Sequence, residues 1–374
     1  MTRKIRLGLI FGGRSAEHEV SLLSARSVLG AIDPDKYAVT LIGITKSGKW
    51  IAGGDPLKAL AAGDLEQTSE AVLLGETGKR ELMTLRETPG AVQLSAVAEL
   101  DVIFPLLHGP YGEDGTVQGL LELADLPYVG SGVLASAVAM DKAVCKELLA
   151  AAGIPVVPWL LTTRSAVERD AAAVAHQAEV KLGAYPLFSK PANLGSSVGV
   201  VKAHDRAELV AGLREGARFD RRILVEQGVD AREIEVSVLG NSGGLAAPEA
   251  SVCGEILPSR EFYDYAAKYL DEASQLLIPA DLPARTAQLA REYAVRAFEI
   301  IDGAGLARVD YLLDRGTGAL YLNEINTLPG FTAISMYPKL WEASGLSYTA
   351  LIDRLVALAL ERQADKQRTQ KMKD

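Results

Sequence analysis

The chain is short of several things, and each shortage removes a class of protein. Only two cysteines occur in 374 residues, Cys145 and Cys253, far apart and without metal-ligand spacing. A disulfide scaffold and a cysteine metal site are therefore not expected, and both thiols read as reduced core or near-site groups. No apolar run reaches the length of a membrane span. The start, MTRKIRLGLIFGG, passes from a short apolar stretch straight into a glycine turn without a cleavage-like site, so neither an anchor nor a signal peptide is expected and the location reads as cytoplasmic. Positive charge is in deficit: 39 Lys and Arg against 48 Asp and Glu leave a net charge of −9, with no basic stripe to meet a nucleic-acid backbone.

What is present describes a soluble globular chain, 48% hydrophobic and 23% charged with a modest aromatic share. Its length exceeds one ordinary core, so two or three domains are expected. A nucleotide remains compatible with the acidic balance, because a few lysines suffice for a locally positive cleft.

KIRLGLIFGG reads as a buried strand ending in a glycine turn, and SAEHEVSLLSARSVLGAI as a helix with Ser15 as candidate N-cap. With YAVTLIGIT this makes a βαβ opening. It lacks the GxGxxG fingerprint, and Glu17 is the first acid after the turn, where ligands gather in open α/β sheets; the helix dipole alone would also favour an acid there. Residues 52–98 are weakly periodic and read as a surface elaboration. AELDVIFPLLHG ends at His108 and a glycine-rich loop, followed by a helix and the strand LPYVG. Domain divisions are expected at 1–130, 131–226 and 227–374.

VLASAVAMDKAVCKELLAAAG reads as helical, with Lys142 inside it. Lys190 ends the apolar strand YPLFSKP, where a charge needs a reason. The loop from Gly195 to Gly199 offers hydroxyl and N–H donors for phosphates, though no GKT or GKS follows. Glu226 ends the strand RRILVEQGV, and REIEVSVLGN pairs with LAAPEASVCG as a hairpin. FYDYAAKY is aromatic and charged without a period, which suggests a functional loop. The tail ERQADKQRTQKMKD reads as polar and frayed.

The segment Gly305–Gly330 organises the rest. ARVDYLL and LYLNEIN read as two strands joined by Asp-Arg-Gly-Thr-Gly. With a loop at 315–319, Asp310 faces Glu324 and Arg308 faces Asn326, with Leu320, Leu322, Glu324 and Asn326 sharing a face. Opposed carboxylates repel unless a cation lies between them, and two carboxylates with an amide oxygen suit Mg²⁺ when substrate phosphates complete its shell. An amphipathic hairpin with solvated charges satisfies the same spacing.

Six blocks in order, FGGRSAEHEVS, HGPYGEDG, VGSG with MDK, KPANLGSSVGV, EFYDYAAKY and ARVDYLL…LNEINTLPGFT, resemble the D-alanine–D-alanine ligases of the ATP-grasp superfamily over nearly the whole chain. The resemblance implies three domains: an N-terminal doubly wound α/β domain, a central α+β nucleotide-binding domain and a C-terminal α+β catalytic domain. It implies ATP and two Mg²⁺, with Mn²⁺ as substitute, and commonly a homodimer. Asp310, Glu324 and Asn326 match metal ligands. Lys142 and Lys190 match lysines at the ATP phosphates, Ser197 lies in the loop over them, and Lys268 matches a loop lysine near the γ-phosphate. Glu226 and Glu233 match acids at the adenine and ribose. Glu17, Ser196 and Tyr269 match a trio that closes the site. His108 and Ser335 match contacts to the two D-alanines, and Arg308 with the Gly330 N–H matches an oxyanion site.

The tyrosine matching Tyr269 is absent from related D-alanyl–D-lactate ligases, so an amine acceptor, D-alanine, is implied. The alternatives are another ATP-grasp carboxylate–amine ligase and a nucleotide-binding regulator without chemistry. The second would be expected to have lost some of Arg308, Asp310, Glu324 and Asn326, which are all present.

Overall fold

The computed structural model describes residues 3–195, 197–257 and 275–369. Parallel strands buried on both faces require continuous apolar runs, and β1 (Ile5–Gly12) is one: Leu7 through Phe11 are all buried. It pairs in parallel with β2 (Tyr37–Ile44) and β7 (Val102–Leu106). Leu7, Leu9 and Phe11 pack with residues of α1 (His18–Ala31) and of the C-terminal helix α10 (Tyr348–Gln367). Ile10 points the other way, into a core with Val117 and Leu121 of α3 (Thr116–Leu123). Helices thus cover both faces of the parallel strands.

Residues 52–98 are more ordered than their weak periodicity suggests. β3 (Trp50–Ala52), β4 (Ser69–Leu73), β5 (Glu81–Thr88) and β6 (Ala91–Glu99) extend the first sheet by antiparallel pairing, with α2 (Pro56–Ala62) beside them. β6 is exposed along nearly its whole length, so it carries little of the alternation that marks a half-buried strand. LPYVG, expected as a strand, contributes one bridge, between Tyr128 and Ile103.

The expected single helix from Val133 is two, α4 (Val133–Met140) and α5 (Lys142–Ala151). Asp141 separates them: its backbone is extended and its Oδ1 accepts the N–H groups of Ala143 and Val144, both at 3.1 Å, capping α5. Lys142 is therefore the first residue of a helix, not an interior one. Ser15 also departs from expectation. Glu17 occupies the N-cap position of α1, and the Ser15 hydroxyl accepts the Glu17 N–H at 3.2 Å while donating to the His108 carbonyl at 2.5 Å.

A second sheet, ordered β10-β9-β11-β8, comprises β8 (Trp159–Thr163), β9 (Leu187–Pro191), β10 (Val201–Ala203) and β11 (Arg222–Gln227), backed by α6 (Arg164–Leu182) and α7 (Arg206–Phe219). The third, ordered β14-β13-β12-β15-β16, comprises β12 (Ala231–Asn241), β13 (Glu249–Leu257), β14 (Gln275–Leu277), β15 (Ala304–Asp314) and β16 (Leu320–Asn326). One of its faces packs on α8 (Ala284–Ile300) and on Ala135, Ala139, Cys145 and Leu149 of α4 and α5. α9 (Met336–Ala343) lies against the third sheet through Met336, Leu340 and Ile256.

The expected fraying of the tail does not occur before Gln367. Arg362 donates to the Gly130 carbonyl at 2.9 Å and the Tyr128 hydroxyl at 2.7 Å, Gln363 to Asp125 at 2.7 Å, and Lys366 pairs with Glu122. These contacts fasten α10 to the end of the first sheet. Among the described residues no single helix is long and apolar enough to cross a bilayer.

Candidate active site

The β15–β16 hairpin pairs Arg308 with Asn326 and Asp310 with Glu324, as the spacing predicts, but by a different route. Tyr311 pairs with Leu322, so Asn323 is an extra residue and β16 bulges there. The bulge reverses the side-chain alternation. Leu320, Leu322 and Ile325 enter the core behind the sheet, whereas Glu324 and Asn326 face forward with Asp310. The expectation that Leu320 and Leu322 share a face with Glu324 and Asn326 is therefore corrected.

Arg308 is enclosed by acids. It grips Asp310 through Nε and Nη2 at 2.7 and 2.6 Å, and its Nε lies 3.0 Å from Glu235 of β12, which sequence reasoning missed. Burial opposes the charge, but Asp310, Glu235 and Glu324 outweigh it and hold the guanidinium firmly protonated. The Asn326 amide oxygen accepts the Leu328 N–H at 3.2 Å, which fixes its orientation and leaves a lone pair free. Among the described residues no three His, Cys, Asp or Glu side chains converge as a metal cage. Two carboxylates and an amide on paired strands still suit a hard cation that draws its other ligands from phosphates and water.

Opposite this sheet, β9 and β11 bring Lys190 and Glu226 to one face, where they form an ion pair. The other Glu226 oxygen lies 2.8 Å from Nζ of Lys146 on α5. Burial raises the pKa of Glu226, but the two ammonium groups prevail and bring it down to about 2. Burial lowers that of Lys190, yet Glu226, Glu324 and Glu233 together raise it. The charges of Glu324 and Glu233 on the third sheet thus act on a lysine of the second. Lys142 donates to the Leu194 carbonyl at 2.6 Å, anchoring the start of the glycine-serine loop. In that loop Ser197 has φ of +58° and Gly199 of +70°; a Cβ at Gly199 would stand 2.7 Å from the Phe219 ring.

On the first-domain side, Glu17 and His108 are 8% and 4% exposed. The Glu17 carboxylate lies over Gly109, where a Cβ would come within 2.8 Å of Oε2, and a Cβ at Gly195 would come within 3.3 Å of the same atom. Glu17 therefore stands where the first βα turn meets the glycine-serine loop. His108 Nδ1 lies 3.0 Å from the Leu328 carbonyl and 3.7 Å from Glu113, and Nε2 lies 3.1 Å from the Ser24 hydroxyl. Burial disfavours the imidazolium, but Glu113, Glu17 and the Leu328 carbonyl raise the His108 pKa. Burial raises that of Glu113, partly offset by His108. Glu113 lies within the HGPYGEDG block without an assigned part; its place beside His108 is visible only in the fold.

The loop after β16 completes the enclosure. The Phe331 N–H donates to Ser24 Oγ at 3.4 Å, tying the loop to α1. A Cβ at Gly330 would stand 3.1 Å from Ser335 Oγ, which accepts the Thr332 N–H at 3.1 Å and shares a hydrogen bond with the Thr332 hydroxyl. Ser196 and the 258–274 segment, which carries Lys268 and Tyr269, lie outside the described residues. Both cysteines are free and buried; burial pushes Cys145 up to about 12 and Cys253 to about 11, so neither is a nucleophile.

A doubly wound domain, then two sheets that bring buried lysines opposite a carboxylate-bearing hairpin, define the ATP-grasp class of ligases. Family models described as the N-terminus and C-terminus of D-ala D-ala ligase match residues 6–131 and 148–357. The chain is 48% identical over 365 residues to the D-alanine–D-alanine ligase of Thermoanaerobacter sp. (strain X514), covering 97% of this chain and 98% of that one. It is 50% identical over 372 residues to that of Ruminiclostridium cellulolyticum, covering 98% of each. Among solved structures, the D-alanine–D-alanine ligase of Coxiella burnetii superposes with a TM-score of 0.83 at 35% identity, over 98% of this chain and 97% of that one. The VanG D-Ala:D-Ser ligase of Enterococcus faecalis gives 0.82 at 32% identity, over 96% and 100%. The chain belongs to the D-alanine–D-alanine ligase family.

Proposed function

We infer that this chain joins two D-alanine molecules in an ATP-dependent reaction, forming D-alanyl-D-alanine for the cell wall and releasing ADP and phosphate. The observation that best supports the site assignment is the buried Lys190–Glu226 ion pair, with Glu324 and Glu233 of the third sheet also raising the Lys190 pKa. Lysines and carboxylates spread over two sheets suit a nucleotide polyphosphate and its cation held between them.

In this reading a carboxylate oxygen of the first D-alanine attacks the γ-phosphorus, the bond to the β-phosphate oxygen breaks, and ADP leaves a D-alanyl phosphate. The amine of the second D-alanine then attacks the acyl carbon, phosphate departs and the amine loses a proton. Divalent metal ions supply charge neutralisation at the phosphates, and Asp310, Glu324 and Asn326 would hold them, two Mg²⁺ with Mn²⁺ as an alternative. Lys142, Lys190, Ser197 and Lys268 would position the phosphates, with Glu226 and Glu233 at the base and sugar. Arg308 and the Gly330 N–H would stabilise the tetrahedral oxyanion. His108 and Ser335 would receive the two carboxylates. Glu17, with Ser196 and Tyr269, would close the site against water and meet the first amine.

The division at 130 and 226, a cytoplasmic location and a homodimer complete the proposal. The deciding experiment is phosphate release with ATP and Mg²⁺, offering D-alanine, L-alanine, D-alanine with D-lactate, and D-alanine with D-serine, products identified by mass. D-alanyl-D-alanine from the D-isomer alone is expected. A depsipeptide or a D-alanyl-D-serine main product would overturn the acceptor assignment, and silence with every mixture would overturn the reaction.

A further inference from the structure

Lys146 is the most buried lysine or arginine among the described residues, 1% exposed. It lies one helical turn beyond Lys142 on α5, so both ammonium groups leave the same face of that helix. Its Nζ is 2.8 Å from Glu226 Oε1, while Oε2 of the same carboxylate meets Lys190. Lys146 and Lys190 thus share one carboxylate, and both lower the Glu226 pKa. Burying an ammonium carries a desolvation cost that one shared carboxylate offsets only in part. A buried ion pair is often no more stabilising than apolar side chains of the same volume in its place, which points to a task other than stability.

Without Lys146, both oxygens of Glu226 are free for Lys190, and a neutral two-membered pair competes with any phosphate for that lysine. With Lys146 the trio carries one net positive charge. We propose that Lys146 is a positioning residue of the nucleotide site: by taking one oxygen of Glu226, it leaves Lys190 a share of its charge for the ATP polyphosphate. The proposal rests on reading Lys190 and Glu226 as nucleotide contacts. Lys146 itself touches no reactant and acts through Glu226.

The test compares Lys146→Met, Lys146→Arg, Glu226→Gln and the Lys146→Met/Glu226→Gln double variant by steady-state kinetics, with ADP binding measured by calorimetry. Lys146→Met is expected to raise the KM for ATP and the Kd for ADP at least tenfold, leaving the KM for D-alanine within twofold. Lys146→Arg, which keeps a cation beside Glu226, is expected to restore ATP KM to within threefold of the parent. Because Lys146 acts through Glu226, the double variant should bind ATP no worse than Glu226→Gln alone. If Lys146→Met does not fold, the double variant, which leaves no unpaired charge in that pair, carries the comparison. An unchanged ADP Kd in Glu226→Gln overturns the nucleotide reading itself. A weakened Glu226→Gln beside a normal Lys146→Met, multiplying penalties in the double variant, or no rescue by arginine overturns the role of Lys146 alone.

Discussion

Arg308 donates Nε and Nη2 to the two oxygens of Asp310, its same-face neighbour two residues along β15, at 2.7 and 2.6 Å. The proposed oxyanion group and a proposed cation ligand are thus partners in the fold, and each Asp310 oxygen, accepting one N–H of the fork, keeps a second lone pair for a cation. Glu235, 3.0 Å from Nε, gives the guanidinium a second carboxylate partner.

Arg308→Lys should therefore separate the two parts. A point charge cannot reproduce the fork, so turnover is expected to fall about 10²–10³-fold, as for loss of an oxyanion donor. The half-saturating Mg²⁺ concentration should not rise, because the Asp310 carboxylate and its cation-facing lone pairs are kept. A cation titration of activity measures both, and a higher Mg²⁺ requirement would show that the Arg308 fork sets Asp310 for the cation.

Asp310→Asn and Glu324→Gln are expected to lower turnover by about 10³-fold or more while the fold is kept, since both groups face out of the core. Circular dichroism checks the fold and phosphate release the activity. Near-normal turnover of either variant at saturating Mg²⁺ would remove that residue from the cation site.

Glu113→Gln should move the titration of His108. In the fold the His108 pKa lies above its ordinary value, because Glu113, Glu17 and the Leu328 carbonyl outweigh burial. The stabilisation this provides is complete below the ordinary histidine pKa of about 6.5 and is lost as pH rises through the raised value. Removing the Glu113 charge lowers the folded pKa, so that loss should begin at lower pH. NMR titration of the His108 ring reports it directly, and the basic limb of kcat/KM for D-alanine should shift the same way. An unmoved His108 titration would show that Glu113 does not set it.

Gly305→Ala should destabilise the protein where the first domain meets β15. Gly305 has φ of +70°, and a Cβ would stand 2.9 Å from the Gly130 backbone nitrogen. The left-handed conformation costs about 1–2 kcal/mol for an L side chain, and crowding against backbone adds about 1–3 kcal/mol. Thermal and denaturant unfolding measure the sum; a loss below about 1 kcal/mol would mean that the two backbones separate easily.

Local chemistry is legible where a residue's neighbours in sequence decide its position. The buried run of β1, the strands carrying Lys190 and Glu226, and the pairing of Asp310 with Glu324 all follow from apolar periodicity and turn residues. The break at Asp141 was also written locally, as a capping residue, but the apolar period running through it masked the signal. The strands between residues 69 and 99 were obscure because an exposed antiparallel edge needs no alternation to be stable.

By itself the sequence determined the order of the blocks, the βαβ opening, the two hairpins of the third sheet and which side chains could do chemistry, because these depend on composition and spacing along one segment. Tertiary structure decided the rest. The bulge at Asn323 turned Glu324 and Asn326 toward the site, a rearrangement of one residue that changes no composition. Packing of α5 against the third sheet's core drove Lys146 under Glu226. Only the approach of the second sheet to the third put Glu324 and Glu233 within reach of Lys190. Electrostatic coupling depends on distance through space, and residues far apart in the sequence acquire a distance only when the chain folds.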